Sequence, residues 1–468
     1  MSKRKLAQWV EDHGLVFEEL ARQIWERPEV AYEERFAAET QKSVLRAAGF
    51  RITEAVGGIP TAFIAEAGKG KPVIGIIGEF DALPGLSQQV SAVYLPAAAD
   101  GPGHGCGHNL LGAAGVEAAI AVGVRLAEEG LSGRIRYYGC PAEEVLSGKT
   151  FMAREGVFGD LDAALTWHPG TANLALVGKT SALTSVEFRF AGKPSHAGAA
   201  PHLGRSALDA VELMNVGANY LREHVPEGSR IHYVITNGGS VPNIVPEKAN
   251  VWYFLRGNDR ALVDDLQERL IKVAKGAAMM TETEVDWAVK AGAYDFLPNE
   301  TLIDLLFRQK DDAGIFAFSD EESAWAASLA ESLDREALRQ AADFYERAGI
   351  SASGPLPVGF GRWKSSSGLG GSTDLGDVSW IAPVGTISTT CAPIGVQLHT
   401  WQATAAFGSS IGLKGMHYAA KLMGLAVYEL LTDGGDTLSK AKAEFRTATG
   451  GRIYKPAIPP ETRPPVRG

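Results

Sequence analysis

Residues 72–78, Pro-Val-Ile-Gly-Ile-Ile-Gly, form an uninterrupted apolar run that ends in Glu79-Phe80-Asp81-Ala82-Leu83-Pro84. A strand apolar on both faces must be covered on both faces, and the interior of an α/β sheet supplies that cover. Ligands bind at the carboxyl ends of such strands, which is where these carboxylates stand. The pattern repeats: residues 134–138 lead into Cys140-Pro141-Ala142-Glu143-Glu144, and residues 163–167 into His168-Pro169-Gly170. Apolar spacing predicts helices over 5–26, 33–48 and 110–126, the last almost wholly apolar.

Directly before that last helix lies Gly103-His104-Gly105-Cys106-Gly107-His108-Asn109. Imidazole and thiolate suit borderline-soft divalent metals. The intervening glycines allow a turn tight enough for Cys106 and His108 to face one centre. The position before a helix N-terminus favours Cys106 as a thiolate. No second pair of ligands lies at zinc-finger spacing, so further ligands must come from distant segments, as in an open catalytic site. In the Glu143-Glu144 pair one carboxylate can ligate metal while the other acts as general base. Taken singly, the Glu-Glu pair reads as a solvated turn and His168 as a structural histidine. Together with Asp81 and Cys106/His108 at neighbouring strand ends, they read as one centre.

The pattern changes near residue 182. Strands over 186–190, 231–236, 249–256 and 284–289, with helices over 205–224 and 260–275, give a β-α-β-β-α-β order. That order is a ferredoxin-like sandwich. We expect it as an insertion over 182–291, within a first domain built from 1–181 and 292–468. The insertion carries its own polar set, His196, Asn243 and Arg256. Residues 319–349 read as peripheral helices and 351–371 as a loop. Ser372-Thr373-Asp374 reads as a helix cap or a substrate contact. His399 precedes a helical segment, a helix is expected over 413–431, and a tail with five prolines follows Gly450.

A chain of 468 residues is expected to form two domains, and its net charge of -10 argues against nucleic acid or an anionic membrane as partner. The most apolar run, 113–124, contains Glu117 and is too short to span a bilayer. The basic N-terminus leads into an amphipathic helix, so no signal peptide is expected. Three cysteines make no disulfide framework and suggest a reducing cytoplasm.

Five runs carry a resemblance: Gly-His-Gly-Cys-Gly-His-Asn-Leu-Leu-Gly, Ser-Gly-Lys-Thr-Phe-Met, Ala-Leu-Thr-Trp-His-Pro, Pro-His-Leu-Gly-Arg-Ser-Ala-Leu-Asp-Ala and Leu-His-Thr-Trp-Gln. Through them nearly the whole chain resembles the co-catalytic metallopeptidase family of aminoacylases, bacterial glutamate carboxypeptidase, desuccinylases and plant auxin-conjugate amidohydrolases. The resemblance implies a mixed-sheet α/β metallo-exopeptidase domain with an inserted ferredoxin-like dimerisation, or lid, domain. It implies two divalent ions, Mn²⁺ or Zn²⁺. Cys106 takes the bridging place that Asp fills in many relatives. His108 and Glu144 bind one ion with it, and His168 and His399 bind the other.

Glu143 becomes the general base and Asp81 the acid of the strand-end motif. His196 reaches the neighbouring subunit's site. Asn243 and Arg256, with Ser372, hold the substrate carboxylate. The sequence departs from the family at Glu79, where His is usual and His108 compensates, and at Asn109, where Asp is usual. His104 is left without an assigned role. The implied activity is metal-dependent hydrolysis of an N-acyl or aroyl amino acid such as p-aminobenzoyl-glutamate. Alternatives are another auxin-type conjugate or dipeptide, deamination of an aromatic amine, or a regulatory subunit. The expected assembly is a homodimer or a heterodimer with a paralogous subunit.

Overall fold

The computed structural model describes residues 2–365, 371–432 and 435–466. Twelve strands are present among them: β1 Arg51–Glu54, β2 Phe63–Lys69, β3 Val73–Glu79, β4 Gly133–Cys140, β5 Ala163–Gly170, β6 Asn173–Val177, β7 Ala182–Ala191, β8 Arg230–Asn237, β9 Lys248–Gly257, β10 Glu284–Ala293, β11 Phe360–Lys364 and β12 Val384–Thr390. Eight form a mixed sheet in the order β1-β2-β4-β3-β5-β12-β6-β11. The central strands β4, β3, β5 and β12 are mutually parallel. Every residue of β3 is buried, as its unbroken apolar run requires.

The other four strands form an antiparallel sheet ordered β10-β7-β9-β8. Helices Ala207–Leu221 and Arg260–Thr281 fill the crossovers, which is the ferredoxin-like arrangement. Ser206 and Asp259 cap these helices, accepting from the backbone N–H of Asp209 and Leu262. Their apolar faces share one core with Tyr138, Phe151, Phe158 and Phe296 of the larger unit.

The helix after the Gly-rich turn runs from His108 to Glu129, longer at both ends than periodicity predicts. It is, among the described residues, the one helix long and apolar enough to cross a membrane, but 83% of its most apolar window is buried inside the fold. A surface apolar on nearly every side here marks a core helix. It packs between β3 and the helices Ser2–Glu26 and Ser410–Thr432. Gly107 at its start has φ 79°, a left-handed turn that brings Cys106 and His108 to the same side. The stretch expected as a loop over 351–371 contains β11, and its residues 366–370 lie outside those described. Cys106, Cys140 and Cys391 are free and buried.

Candidate metal centre

The parallel strands deliver their carboxyl ends to one place. Glu79 closes β3 with Asp81 just beyond, Glu143 and Glu144 follow β4, and His168 lies in β5. His399 comes from the loop after β12, and Cys106 and His108 come from the start of the core helix rather than a strand end. Donor atoms of Cys106, His108 and His168 lie within 4.8 Å of one another, as do those of Cys106, Glu144 and His399, and those of Glu79, His108 and Glu143. Cys106 and His108 each belong to two groups, and a bridging donor has to. The groups put His168 beside His108 and His399 beside Glu144, whereas the resemblance divides these residues as His108 with Glu144 and His168 with His399.

Three donor pairs share one separation. Cys106 Sγ to His168 Nε2, His399 Nε2 to Glu144 Oε2, and His108 Nε2 to Glu79 Oε2 are each 3.4 Å. Two ligands of one tetrahedral ion, bonded at about 2.0–2.3 Å, stand about 3.3–3.8 Å apart. The buried His108 Nε2 and Glu144 Oε1 have no hydrogen-bond partner in the protein. Both are atoms that a cation would satisfy, so the donor set fits divalent metal.

Buried acids hold the frame. Asp81 Oδ1 lies 3.0 Å from His108 Nδ1, and its Oδ2 accepts the Glu144 backbone N–H at 2.9 Å. This is the carboxylate–histidine support that metal sites use to fix a ring. Glu34 Oε1 accepts the backbone N–H groups of Ala142, at 2.9 Å, and Tyr32, at 2.8 Å, anchoring the loop that carries Glu143. That loop folds back so tightly that a Cβ on Gly148 would lie 1.8 Å from the Pro141 carbonyl oxygen. Ala142, Leu146 and His399 all have positive φ, at 59°, 54° and 63°. Such strain in non-glycine residues collects at functional sites.

The charges do not balance. Five carboxylates, Glu79, Asp81, Glu143, Glu144 and Asp374, share the site with one wholly buried ammonium, Lys149, which contacts Glu79 and Asp374, and with His108, which burial pulls down but Cys106 and Asp81 raise well above its ordinary value. Burial pushes Glu143 up to about 8, with the Glu79 charge adding to it, and burial pushes Glu144 up to about 7. At Glu79 burial acts upward but Lys149 and His108 outweigh it, leaving the carboxyl below its ordinary range. Burial pulls His168 down and His108 adds to that. Burial likewise pushes the Cys106 thiol well up. Burial thus opposes the thiolate that the helix terminus favours. A divalent cation bound there would favour the thiolate.

The centre opens on a cavity of about 760 Å³, a usual size for a small-molecule site. Glu79, Cys106, Glu143, Glu144, His168 and His399 line it on one side, and Leu146, Leu176, Phe254, Phe296, Leu375 and Ile387 give it apolar walls. Arg256 is the one Arg or Lys among its described lining residues, and its Nη1 donates to Ser372 Oγ at 2.8 Å. No acidic residue among those described pairs with this guanidinium, and burial lowers its pKa.

His196 and Asn243 are exposed and lie outside the cavity wall. They sit together, with the Ala197 N–H donating to the Asn243 carbonyl at 3.0 Å. His104 turns away from the centre, with Nε2 3.1 Å from the Ile24 carbonyl, and Asn109 donates to the Phe407 carbonyl at 3.2 Å. Asp374 does not cap its helix; its carboxylate goes to Lys149 Nζ and the Lys149 backbone N–H instead. Sequence reasoning missed Lys149 and Glu34 as parts of the site. A lysine inside a motif bounded by Gly, Thr, Phe and Met was the available signal for the first.

Comparison with known proteins places the chain. A peptidase dimerisation domain model matches residues 179–279. One of the two subunit types of the p-aminobenzoyl-glutamate hydrolase of Escherichia coli (strain K12) is 42% identical over 464 residues, covering 96% of this chain and 95% of that protein. The Xaa-Arg dipeptidase of Mus musculus is 32% identical over 317 residues, 64% of this chain and 69% of that protein. Among solved structures, a Bacillus subtilis protein described as a dinuclear metal-binding peptidase of the M20 family superposes with TM-score 0.57 at 17% identity, covering 90% of this chain and 99% of that one. At that identity the likeness bears on the fold.

Proposed function

The chain belongs to the M20 peptidase family, and on that footing we propose that it hydrolyses the amide bond of an N-aroyl amino acid, p-aminobenzoyl-glutamate first among them. The observation that carries the proposal is the joining, in one cavity, of an unbalanced donor cluster, aromatic and aliphatic walls, and a single guanidinium without an acidic partner. In this reading Cys106, His108, Glu144, His168 and His399 hold two divalent ions, Mn²⁺ or Zn²⁺. Bound there, such ions acidify water and polarise a carbonyl.

The chain's own residues do the rest. Glu143, raised by burial and lining the cavity, takes a proton from the attacking water and returns it to the leaving nitrogen. Arg256, steadied by Ser372, grips the substrate's α-carboxylate through its planar fork. Phe254 and Phe296 face the aroyl ring and exclude water. Asp81 fixes the His108 ring through Nδ1. The developing oxyanion accepts a hydrogen bond from His196.

His196 and Asn243 lie outside the cavity of their own chain, so we propose that they serve a neighbouring subunit, in a homodimer or with a paralogous partner. Strand β8 supports this, standing at the edge of its sheet with Tyr233, Val234 and Ile235 exposed. Domain limits of 1–181 with 292–468, and 182–291, belong to the same proposal.

The test is turnover of p-aminobenzoyl-glutamate, an indole-acetyl amino acid and a dipeptide by purified protein, alongside Glu143→Ala. Release of p-aminobenzoate, cut about 10²–10⁴-fold in the variant, is expected. Activity on none of the three, or an unaffected variant, would refute the reading.

A further inference from the structure

The distances around Glu79 assign it more than a counter-ion's place. Its Oε1 lies 2.7 Å from Lys149 Nζ. Lys149 already has a second acid, because Asp374 Oδ1 lies 2.5 Å from the same nitrogen and Asp374 Oδ2 accepts the Lys149 backbone N–H at 2.7 Å. One buried ammonium thus faces two carboxylates, and the surplus negative charge lies on the Glu79 side.

There, Glu79 Oε2 stands 3.4 Å from His108 Nε2, a buried nitrogen that makes no hydrogen bond. His108 Nδ1 is engaged with Asp81, and a metal ion takes the ring in its neutral form, with the proton on Nδ1. Nε2 then points a lone pair at a carboxylate oxygen. In that form the two donors need a metal cation in the place a proton on Nε2 would otherwise fill, and 3.4 Å is a separation that ligands of one ion keep. Glu79 also lines the cavity and groups with His108 and Glu143 as possible donors.

We infer that Glu79 is a further donor to the divalent ion held by His108, and that Lys149 is the positioning residue that aims its carboxylate. The inference rests on the metal-dependent reading above. It explains why an acid stands at the end of β3 at all: Lys149 supplies the charge that lets it stay buried. Glu79→Gln leaves a neutral Lys149–Asp374 pair, so the substitution strands no charge and the fold should hold.

The test is chelator-competition titration of metal-stripped protein with Zn²⁺ and with Mn²⁺, with elemental analysis of bound metal and a thermal melt of the stripped form. Wild type is expected to bind two ions. Glu79→Gln should weaken one site about 10–100-fold and leave the other and the melt unchanged. Glu79→Asp keeps the charge but withdraws the carboxylate by one methylene, and should weaken the same site; it serves if Glu79→Gln does not fold. Lys149→Met should weaken that site too, and add nothing in the Glu79→Gln background. Wild-type affinity at both sites in Glu79→Gln or Glu79→Asp would overturn the inference while sparing the metal-dependent reading. Absence of metal from the wild type would instead overturn that reading.

Discussion

Replacing Arg256 by Met should break recognition of the substrate's carboxylate and little else. The guanidinium is half-buried, its Nη1 donates to the neutral hydroxyl of Ser372, and no described acid neutralises it. Four of its five N–H donors remain for a ligand. A hydrogen bond to a charged group contributes about 1.5–3 kcal/mol, and about 1.4 kcal/mol is tenfold. Loss of the fork should therefore lower kcat/KM by about 10- to 150-fold. The carboxylate does not react, so the contact is equal in ground and transition states and the loss should fall on KM. Met keeps the side chain's length against Phe254, which limits collapse of the wall. The assay is steady-state hydrolysis of p-aminobenzoyl-glutamate and of its α-carboxamide. Wild type should lose on the carboxamide what Arg256→Met loses on the acid, and the variant should not discriminate. A variant with unchanged kcat/KM, or one that still prefers the acid by the wild-type factor, would refute the argument.

Asp81→Asn should lower metal affinity or activity about 10–100-fold, because it loosens both His108 and the Glu144 backbone; chelator competition reads this directly. His196→Ala should cut turnover about 10²–10³-fold with bound metal unchanged, and loss of metal would contradict its place as an oxyanion donor. A pH effect should come from His417, whose Nδ1 lies 2.9 Å from the buried Glu117. Burial acts downward on His417, but Glu117 and Glu18 raise it above its ordinary value of about 6.5. The folded state thus binds more protons, so this contribution is full below about pH 6.5 and is lost as pH rises through the raised value. His417→Gln should flatten that alkaline decline in the melting temperature. A decline as steep as wild type would remove His417 as its cause.

The residues that gather at the centre were legible where they border a feature with its own signal. β3 is apolar throughout, so its end was found, and Asp81 with it, while Glu79 reads from the sequence only as the place where the family's usual His is absent. The Gly-rich turn and the largely apolar helix marked Cys106 and His108. β12 gave no such signal: its sequence, Val-Gly-Thr-Ile-Ser-Thr-Thr, reads as polar. Its buried hydroxyls are nonetheless satisfied, Thr389 Oγ1 donating to the Gly415 carbonyl at 2.8 Å and Thr390 Oγ1 to the Pro357 carbonyl at 2.7 Å. Periodicity cannot see such long-range partners.

The same limit hid Lys149. Its meaning depends on Glu79 and Asp374, one 70 residues before it and the other 225 residues after it. Asp374 looked like a helix cap from its neighbours, and the buried ammonium claimed it instead. The burial that opposes a thiolate at Cys106 was hidden for a related reason, since depth of burial is a property of the fold rather than of the motif.

The most direct measurement is release of p-aminobenzoate by purified protein stripped of metal with a chelator, then resupplied with Mn²⁺ or Zn²⁺. The account predicts an inactive stripped protein whose turnover returns with metal occupancy in wild type, but not in Glu143→Ala. Full turnover by protein shown by elemental analysis to hold no metal would contradict it.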